Sequence, residues 1–142
     1  MSLMNKRIFI VEDNVQNRAI MQLLLEQKNA TIAFERWGTD VLGKLQAFTP
    51  VDIILLDLML PNQVSGFDIY DQIRTLHQFD LVPIVAVSAM DAAVAVPKAR
   101  ARGFSGFLSK PINYESFAHY IEVILAGGQV WLNREIQPIM KG

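Results

Sequence analysis

The chain has 142 residues, of which 51% are hydrophobic, and its 13 basic and 14 acidic residues leave a formal net charge of -1. This size is enough for one domain with a substantial core, and the balanced charge argues against a polyanion-binding surface. The absence of cysteine excludes disulfides, thiolate metal sites and thiol nucleophiles. No apolar run approaches the roughly 20 residues that cross a bilayer, and no secretory signal pattern is present. We expect a cytoplasmic protein that binds neither nucleic acid nor a membrane directly.

Short apolar runs alternate along the chain with longer segments of helical periodicity. The runs predict strands at residues 8–11, 31–34, 53–56, 84–87 and 106–108. Three of these runs are apolar at every position, as expected for parallel strands that are buried on both faces. Between them, four helical faces are predicted, formed by Ile20, Leu23 and Leu24, by Leu42, Leu45 and Phe48, by Ile69, Ile73 and Leu76, and by Phe117, Ile121, Ile124 and Leu125. The alternation predicts an α/β doubly wound domain.

The helical segment between the fourth and fifth strands is irregular, because Pro97 cannot donate the N–H of an interior helical position. We expect this helix to be short or kinked, or to begin late so that Pro97 lies in its first turn. Residues 92–96 are all apolar, which predicts either a contact patch or burial against the sheet.

Glycine residues mark the end of the predicted domain. Gly127 and Gly128 are expected to terminate the last helix. The predicted organisation is an N-terminal segment at residues 1–5 that could derive from an expression vector, a single domain at residues 6–127, and a tail or linker start at residues 128–142.

Polar residues follow four of the five predicted strands. Glu12 and Asp13 come directly after the first strand, Asp57 after the third, Ser88 after the fourth and Lys110 after the fifth. Ligands of open α/β sheets bind at the carboxyl ends of the strands. If the first and third strands are neighbours, three carboxylates converge, and their repulsion calls for a cation. Oxygen ligands in small number suit Mg²⁺.

This set of groups predicts phosphoryl chemistry. Asp57 would act as a nucleophile that forms an acyl phosphate, while Mg²⁺, Lys110 and Ser88 would contact the oxygens of the transferring group. Taken singly, Asp13 or Asp57 could cap a helix or turn, Ser88 could be an ordinary strand-end residue, and Lys110 a solvated charge. Their joint placement at the ends of separate strands favours function.

Four ordered segments carry a resemblance to a known family. Residues 11–14 (Val-Glu-Asp-Asn), 55–61 (Leu-Leu-Asp-Leu-Met-Leu-Pro), 87–89 (Val-Ser-Ala) and 110–112 (Lys-Pro-Ile) resemble the signature blocks of response-regulator receiver domains, as in chemotaxis regulators. The resemblance covers about residues 6–126. It implies a flavodoxin-like, five-stranded parallel sheet with strand order 2-1-3-4-5 and helices on both faces.

The resemblance also implies a function in two-component signalling. The chain would be a phosphoacceptor switch that takes a phosphoryl group from a histidine kinase or phosphotransfer protein and changes its output surface. It would not be a true enzyme, since it would catalyse only its own Mg²⁺-dependent phosphorylation and dephosphorylation. The implied roles are Asp57 as phosphoacceptor, Asp13, Asp57 and the Met59 carbonyl as direct Mg²⁺ ligands, Glu12 as a ligand through water, Ser88 and Lys110 as phosphoryl contacts, and Phe107 as the switch aromatic.

By the same resemblance, residues 91–127 form the face that meets an output partner or a covalently linked effector domain. A peptide bond in the cis form is implied between Lys110 and Pro111. One residue more than the common family pattern lies between Pro61 and Gly66, so we expect that loop to differ locally. In the family pattern, the positions of Met59 and Met90 overlook the path of the attacking water, which methionine cannot orient, and this predicts a long-lived phosphorylated state. The alternative is that both methionines only fill gaps in a flexible rim and water enters regardless.

Two other classes of protein remain as alternatives. A degenerate receiver could serve as a phosphorylation-independent interaction module, although the complete acidic, hydroxyl and lysine set argues against it. A hydrolase with an aspartate nucleophile would place a second aspartate two residues after the first, whereas Asp13 is followed by Asn14 and Val15.

Overall fold

The computed structural model describes residues 2–132 and 139–141, which form seven strands and five α-helices. The strands are β1 (Arg7–Val11), β2 (Thr31–Glu35), β3 (Ile53–Leu56), β4 (Ile84–Ser88), β5 (Gly106–Ser109), β6 (Gln129–Leu132) and β7 (Ile139–Lys141). The helices are α1 (Val15–Glu26), α2 (Val41–Ala47), α3 (Gly66–Ile73), α4 (Ala92–Arg102) and α5 (Phe117–Leu125). None of the helices in these ranges is long and apolar enough to span a bilayer.

All strands belong to one sheet with the order β2-β1-β3-β4-β5-β6-β7. The pairs from β2 through β6 are parallel, and only β6 with β7 is antiparallel. The predicted order 2-1-3-4-5 is therefore confirmed for the first five strands. The prediction of only five strands was wrong, because β6 and β7 continue the sheet past β5.

The sheet extends beyond β5 because the chain after α5 has apolar residues that are buried beside that strand. Val130 and Trp131 in β6 are both buried, at 0% and 4% exposure. Gly106 in β5 permits the approach, since a Cβ at this position would overlap the main-chain carbonyl of Val130. A four-residue strand with only two buried positions gives a weak strand signal in the sequence.

The core has two layers, one on each face of the sheet. Phe9 and Val11 of β1 belong to the layer that α2, α3 and α4 cover, while Ile8 and Ile10 belong to the layer under α1 and α5. This alternation follows from the two-residue period of a strand. It explains the continuous apolar runs in the sequence, since both faces of the central strands are covered.

The buried face of α1 differs from the predicted one. Ile20, Leu23 and Leu24 were expected to share the inward face, but the buried residues are Arg18, Met21 and Leu25. Leu23 is 59% exposed. The apolar pattern of α1 is compatible with either rotation, and the helix adopts the one that buries an arginine with its own hydrogen-bond partners.

The helix α4 begins earlier than expected. Asp91 caps it by accepting a hydrogen bond from Ala93 N at 3.1 Å, so Pro97 lies inside an 11-residue helix and not in its first turn. Pro97 leaves the Ala93 carbonyl without its usual donor. The apolar segment 92–96 is partly buried against the sheet and partly exposed. Ala92 and Ala95 are buried, whereas Ala93 and Val94 are exposed.

Candidate functional site

Three carboxylates meet at the carboxyl edge of the sheet, as the sequence predicts. Glu12, Asp13 and Asp57 each offer one oxygen, and these oxygens lie within 4.8 Å of one another. The pairing of Val11 with Leu56 in the parallel β1–β3 ladder brings the residues that follow them to the same level. Glu12 and Asp57 are buried. The adjacency of the two strands therefore creates the acidic cluster.

Lys110, which follows β5, reaches into this cluster. Its Nζ lies 2.5 Å from Glu12 Oε1 and 2.7 Å from Asp57 Oδ2. The contact with Asp57 is a hydrogen bond. The contact with Glu12 is an ion pair, and among the residues that the structure describes no aligned hydrogen-bond donor reaches the fully buried Oε1 atom. One ammonium group is thus shared between two buried carboxylates.

The pKa values of both partners reflect this crowding. Burial raises the pKa of Glu12, the negative charge of Asp57 adds to the rise, and the Lys110 ammonium and the Asn14 N–H oppose it. Burial acts to lower the pKa of Lys110, but the Asp57 and Glu12 carboxylates that contact its ammonium together outweigh it, so this pKa lies above its ordinary value. A further positive charge would reduce the repulsion between the clustered carboxylates.

Ser88 ends β4 at the same edge and is fully buried. Its Oγ accepts a hydrogen bond from Met90 N at 3.2 Å, and its carbonyl accepts one from Lys110 N at 3.0 Å. The structure therefore ties the predicted hydroxyl residue to the main chain of the predicted lysine.

The loop after Asp57 presents a main-chain oxygen. Met59 N donates to Asp57 Oδ1 at 3.1 Å, and Met59 forms an isolated bridge with Ser65. Within the described part of the chain, the Met59 carbonyl accepts no main-chain hydrogen bond. Gly66 closes this loop against Asp57, because a Cβ there would overlap the Asp57 carbonyl. This packing is the tight approach predicted for Gly66.

The longer loop has an unusual backbone. Asn62 and Gln63 both adopt left-handed conformations, with φ of 59° and 62°. Residues other than glycine rarely do so, and each costs free energy. These two residues form a tight, exposed turn between Pro61 and Gly66.

The remaining residue predicted for the site, Phe107, lies farther from the edge. It is fully buried in β5 and is paired in register with Ala86 on one side and Trp131 on the other. The peptide bond between Lys110 and Pro111 is cis, as the resemblance implied.

Two buried charged residues near the edge were missed from the sequence. Glu35 ends β2 and is buried, and its carboxylate accepts hydrogen bonds from the N–H groups of Trp37, Gly38 and Asp40. It shapes the loop between β2 and α2. Arg18 is buried on α1. An acidic residue directly after an apolar run was the available signal for Glu35, whereas nothing in the periodicity marks Arg18 as buried.

The donor set fits a small, hard cation. It consists of carboxylate oxygens and one main-chain carbonyl, which are the ligands that Mg²⁺ prefers. Among the described residues, the buried Oε1 atom of Glu12 has the Lys110 ammonium as an ion-pair partner but no aligned hydrogen-bond donor, so it can also face a cation or a water that a cation holds. Glu12, Asp13, Asp57 and the Met59 carbonyl are therefore the residues that would hold it.

Comparison with known proteins gives the family. Residues 8–122 match the sequence profile described as the response regulator receiver domain. The chain is 30% identical over 122 residues to the polar-differentiation response regulator DivK of Brucella ovis, covering 86% of this chain and 98% of DivK. It is 34% identical over 109 residues to the hybrid signal transduction histidine kinase D of Dictyostelium discoideum, covering 76% of this chain but only 7% of that kinase.

A solved structure agrees on the fold. The chemotaxis response regulator CheY4 of Vibrio cholerae superimposes with a TM-score of 0.77 at 22% identity, covering 84% of this chain and 98% of CheY4. The matched profile ends at residue 122, before β6 begins. The chain belongs to the response-regulator receiver domain family.

Proposed function

We propose that this chain is the phosphoacceptor switch of a two-component phosphorelay, in which Asp57 takes a phosphoryl group from a histidine kinase or phosphotransfer protein. The observation that carries the proposal is the contact of Lys110 Nζ with both Asp57 and Glu12 inside a cluster of three carboxylates. A structural ion pair would need one carboxylate. Three carboxylates around one ammonium leave a negative excess that is costly unless a cation and an incoming phosphoryl group use it.

Each residue then has a chemical task. An Asp57 carboxylate oxygen attacks the phosphorus, and the bond from phosphorus to the donor's imidazole nitrogen breaks with its electron pair staying on that nitrogen. Lys110 turns from the Asp57 carboxylate to the phosphoryl oxygens, and the Ser88 hydroxyl donates a hydrogen bond to another of them. Asp13, Asp57 and the Met59 carbonyl, with Glu12 acting through water, would hold Mg²⁺, which would supply the positive charge that admits an anionic donor.

The rim of the site supports a protein as donor. Large apolar side chains are exposed in the segments that follow β1, β2, β3 and β5, namely Val15, Trp37, Met59 and Tyr114. Along α1, Val15, Ala19 and Leu23 form an exposed ridge at four-residue spacing. Apolar ridges of this kind pack against the helices of a partner. The output partner or linked effector would use residues 91–127, where Val94 is the large apolar side chain that α4 exposes.

Incubation with acetyl phosphate, followed by intact-mass measurement, tests the proposal. The parent should gain one phosphoryl group in Mg²⁺ and none in excess chelator, and Asp57→Asn should gain none. Failure of the parent to gain mass would favour the alternative of a degenerate receiver acting as an interaction module. Turnover of varied phosphoesters would indicate a hydrolase.

A further inference from the structure

Arg18 is a buried basic residue to which neither the sequence pattern nor the proposed chemistry gives a role. It lies on the inward face of α1 and is 9% exposed. Arginine is rarely buried unless its donors are paired, since the guanidinium group cannot lose its charge. The partners of Arg18 therefore indicate why the fold tolerates it there.

These partners belong to the acidic residues of the site. Arg18 Nη1 donates to the Glu12 carbonyl at 3.1 Å and to the Asp13 carbonyl at 2.6 Å. Both are charge-assisted bonds to main-chain oxygens, so Arg18 occupies none of the carboxylate oxygens of Glu12 and Asp13. The same turn is held by Asn14, whose N–H donates to Glu12 Oε2 at 3.1 Å and whose Oδ1 accepts from Asn17 N at 2.9 Å.

We propose that Arg18 is a positioning residue for the cation site, which fixes the turn between β1 and α1 so that the Glu12 and Asp13 carboxylates converge with Asp57. The proposal rests on the cation site of the proposed function. Arg18 acts through the main chain of two ligand residues and not by touching the cation. Outer-sphere partners of this kind orient ligands, and their removal commonly costs about 10 to 100-fold in metal affinity.

The direction of the change in Mg²⁺ affinity separates an orienting role of Arg18 from a simple charge effect. A buried positive charge near the site repels a cation, so if charge were the whole role, its removal would tighten Mg²⁺ binding. If orientation dominates, removal frees the two carbonyls and the turn, and Mg²⁺ binding weakens. We expect the orienting effect on the two carboxylates to dominate, because both hydrogen bonds of Arg18 go to the main chain of residues whose carboxylates would hold the cation.

The structure offers a matched control in Arg74 of the segment after α3. Arg74 also donates to two main-chain carbonyls, those of Phe79 at 2.6 Å and Val82 at 3.0 Å. These carbonyls precede β4 and so lie at the amino-terminal ends of the strands, whereas Asp57 lies at their carboxyl ends. Arg74→Met thus removes the same kind of contact, together with a hydrogen bond to the Tyr70 hydroxyl, without touching the acidic cluster.

Calorimetric titration of the full chain with Mg²⁺ tests the proposal. We expect Arg18→Met to weaken Mg²⁺ binding at least about tenfold, Arg18→Lys to lie between it and the parent, and Arg74→Met to bind within about twofold of the parent. Phosphorylation of Arg18→Met by acetyl phosphate should require proportionally more Mg²⁺ but reach the parental rate at saturation. A purely structural role would lower the folded fraction without moving the Mg²⁺ affinity of the folded protein.

Equal or tighter Mg²⁺ binding by folded Arg18→Met overturns the proposal. If that variant does not fold, Arg18→Lys decides, and binding as tight as in the parent then overturns it. Absence of Mg²⁺ binding by the parent would overturn the cation site of the proposed function, and this inference with it. The two failures are therefore distinguishable.

Discussion

Replacement of Trp131 by alanine should destabilise the whole domain if β6 is an integral strand. The indole is 4% exposed and belongs to the core layer under α2, α3 and α4. Its Nε1 donates to Gln129 Oε1 at 3.2 Å, and the Arg100 guanidinium lies 4.6 Å from its ring centroid. The substitution removes a large buried group that lies beside β5 and contacts Arg100 of α4.

The expected loss follows from these contacts. Truncation of a buried tryptophan typically costs about 3–5 kcal/mol, including the cavity that it leaves. The contact with Arg100 adds about 0.5–1 kcal/mol. The other tryptophan, Trp37, is 53% exposed and gives a matched control, because surface substitutions usually change the free energy of unfolding by about 0.5 kcal/mol or less.

Urea unfolding followed by circular dichroism measures both variants without depending on tryptophan emission. Trp131→Ala should lower the free energy of unfolding by about 3.5–6 kcal/mol at an unchanged m-value. Trp37→Ala should leave it nearly unchanged. A loss below about 1 kcal/mol for Trp131→Ala would mean that β6 detaches separately, as in local unfolding. Residues 128–142 would then be a linker and not part of the domain.

Three further predictions concern the site. Lys110→Met should slow phosphorylation by acetyl phosphate at least about tenfold at saturating Mg²⁺, because the phosphoryl oxygens lose their cationic partner, whereas Lys98→Met on the exposed side of α4 should match the parent by intact mass. Met59→Asn and Met90→Glu should each speed loss of the phosphoryl group several-fold in Mg²⁺, and unchanged lifetimes by the same assay would refute the shielding argument. Glu12→Gln should raise the thermal midpoint in chelator at neutral pH, because the raised pKa of Glu12 means that its ionised form opposes folding. That gain should vanish as the pH falls below the unfolded-state pKa of about 4.3, where the parent is protonated too, and a constant gain at all pH values would contradict this cause.

The site residues could be predicted from the sequence because of where parallel strands end. Glu12, Asp57, Ser88 and Lys110 each lie at the end of an apolar run, and the carboxyl ends of parallel strands share one edge of the sheet. The structure brings Lys110 to the same end of the sheet as the carboxylates, as that placement suggested. The sequence could not supply the sharing of one ammonium between two carboxylates, since that depends on side-chain reach.

Features that depend on how elements pack against each other were not predictable from the sequence. The rotation of α1 is fixed by its packing on the sheet and by the bonds of Arg18 to the turn before it, so the choice between Leu23 and Met21 as an inward residue is made by tertiary contacts. The burial of Trp131 depends on a free edge of β5 and on Gly106. Periodicity describes a segment by itself, whereas these outcomes depend on its neighbours.

The location of the phosphoryl group is the most direct test of the central claim. The phosphorylated protein would be reduced with borohydride, which converts an aspartyl phosphate to homoserine, and then digested and sequenced by mass spectrometry. The structure predicts homoserine at position 57 alone, and only in samples that were phosphorylated in Mg²⁺. Homoserine at Asp13 or at another carboxylate, or unmodified Asp57 in a protein that has gained phosphoryl mass, would contradict the assignment of Asp57 as phosphoacceptor.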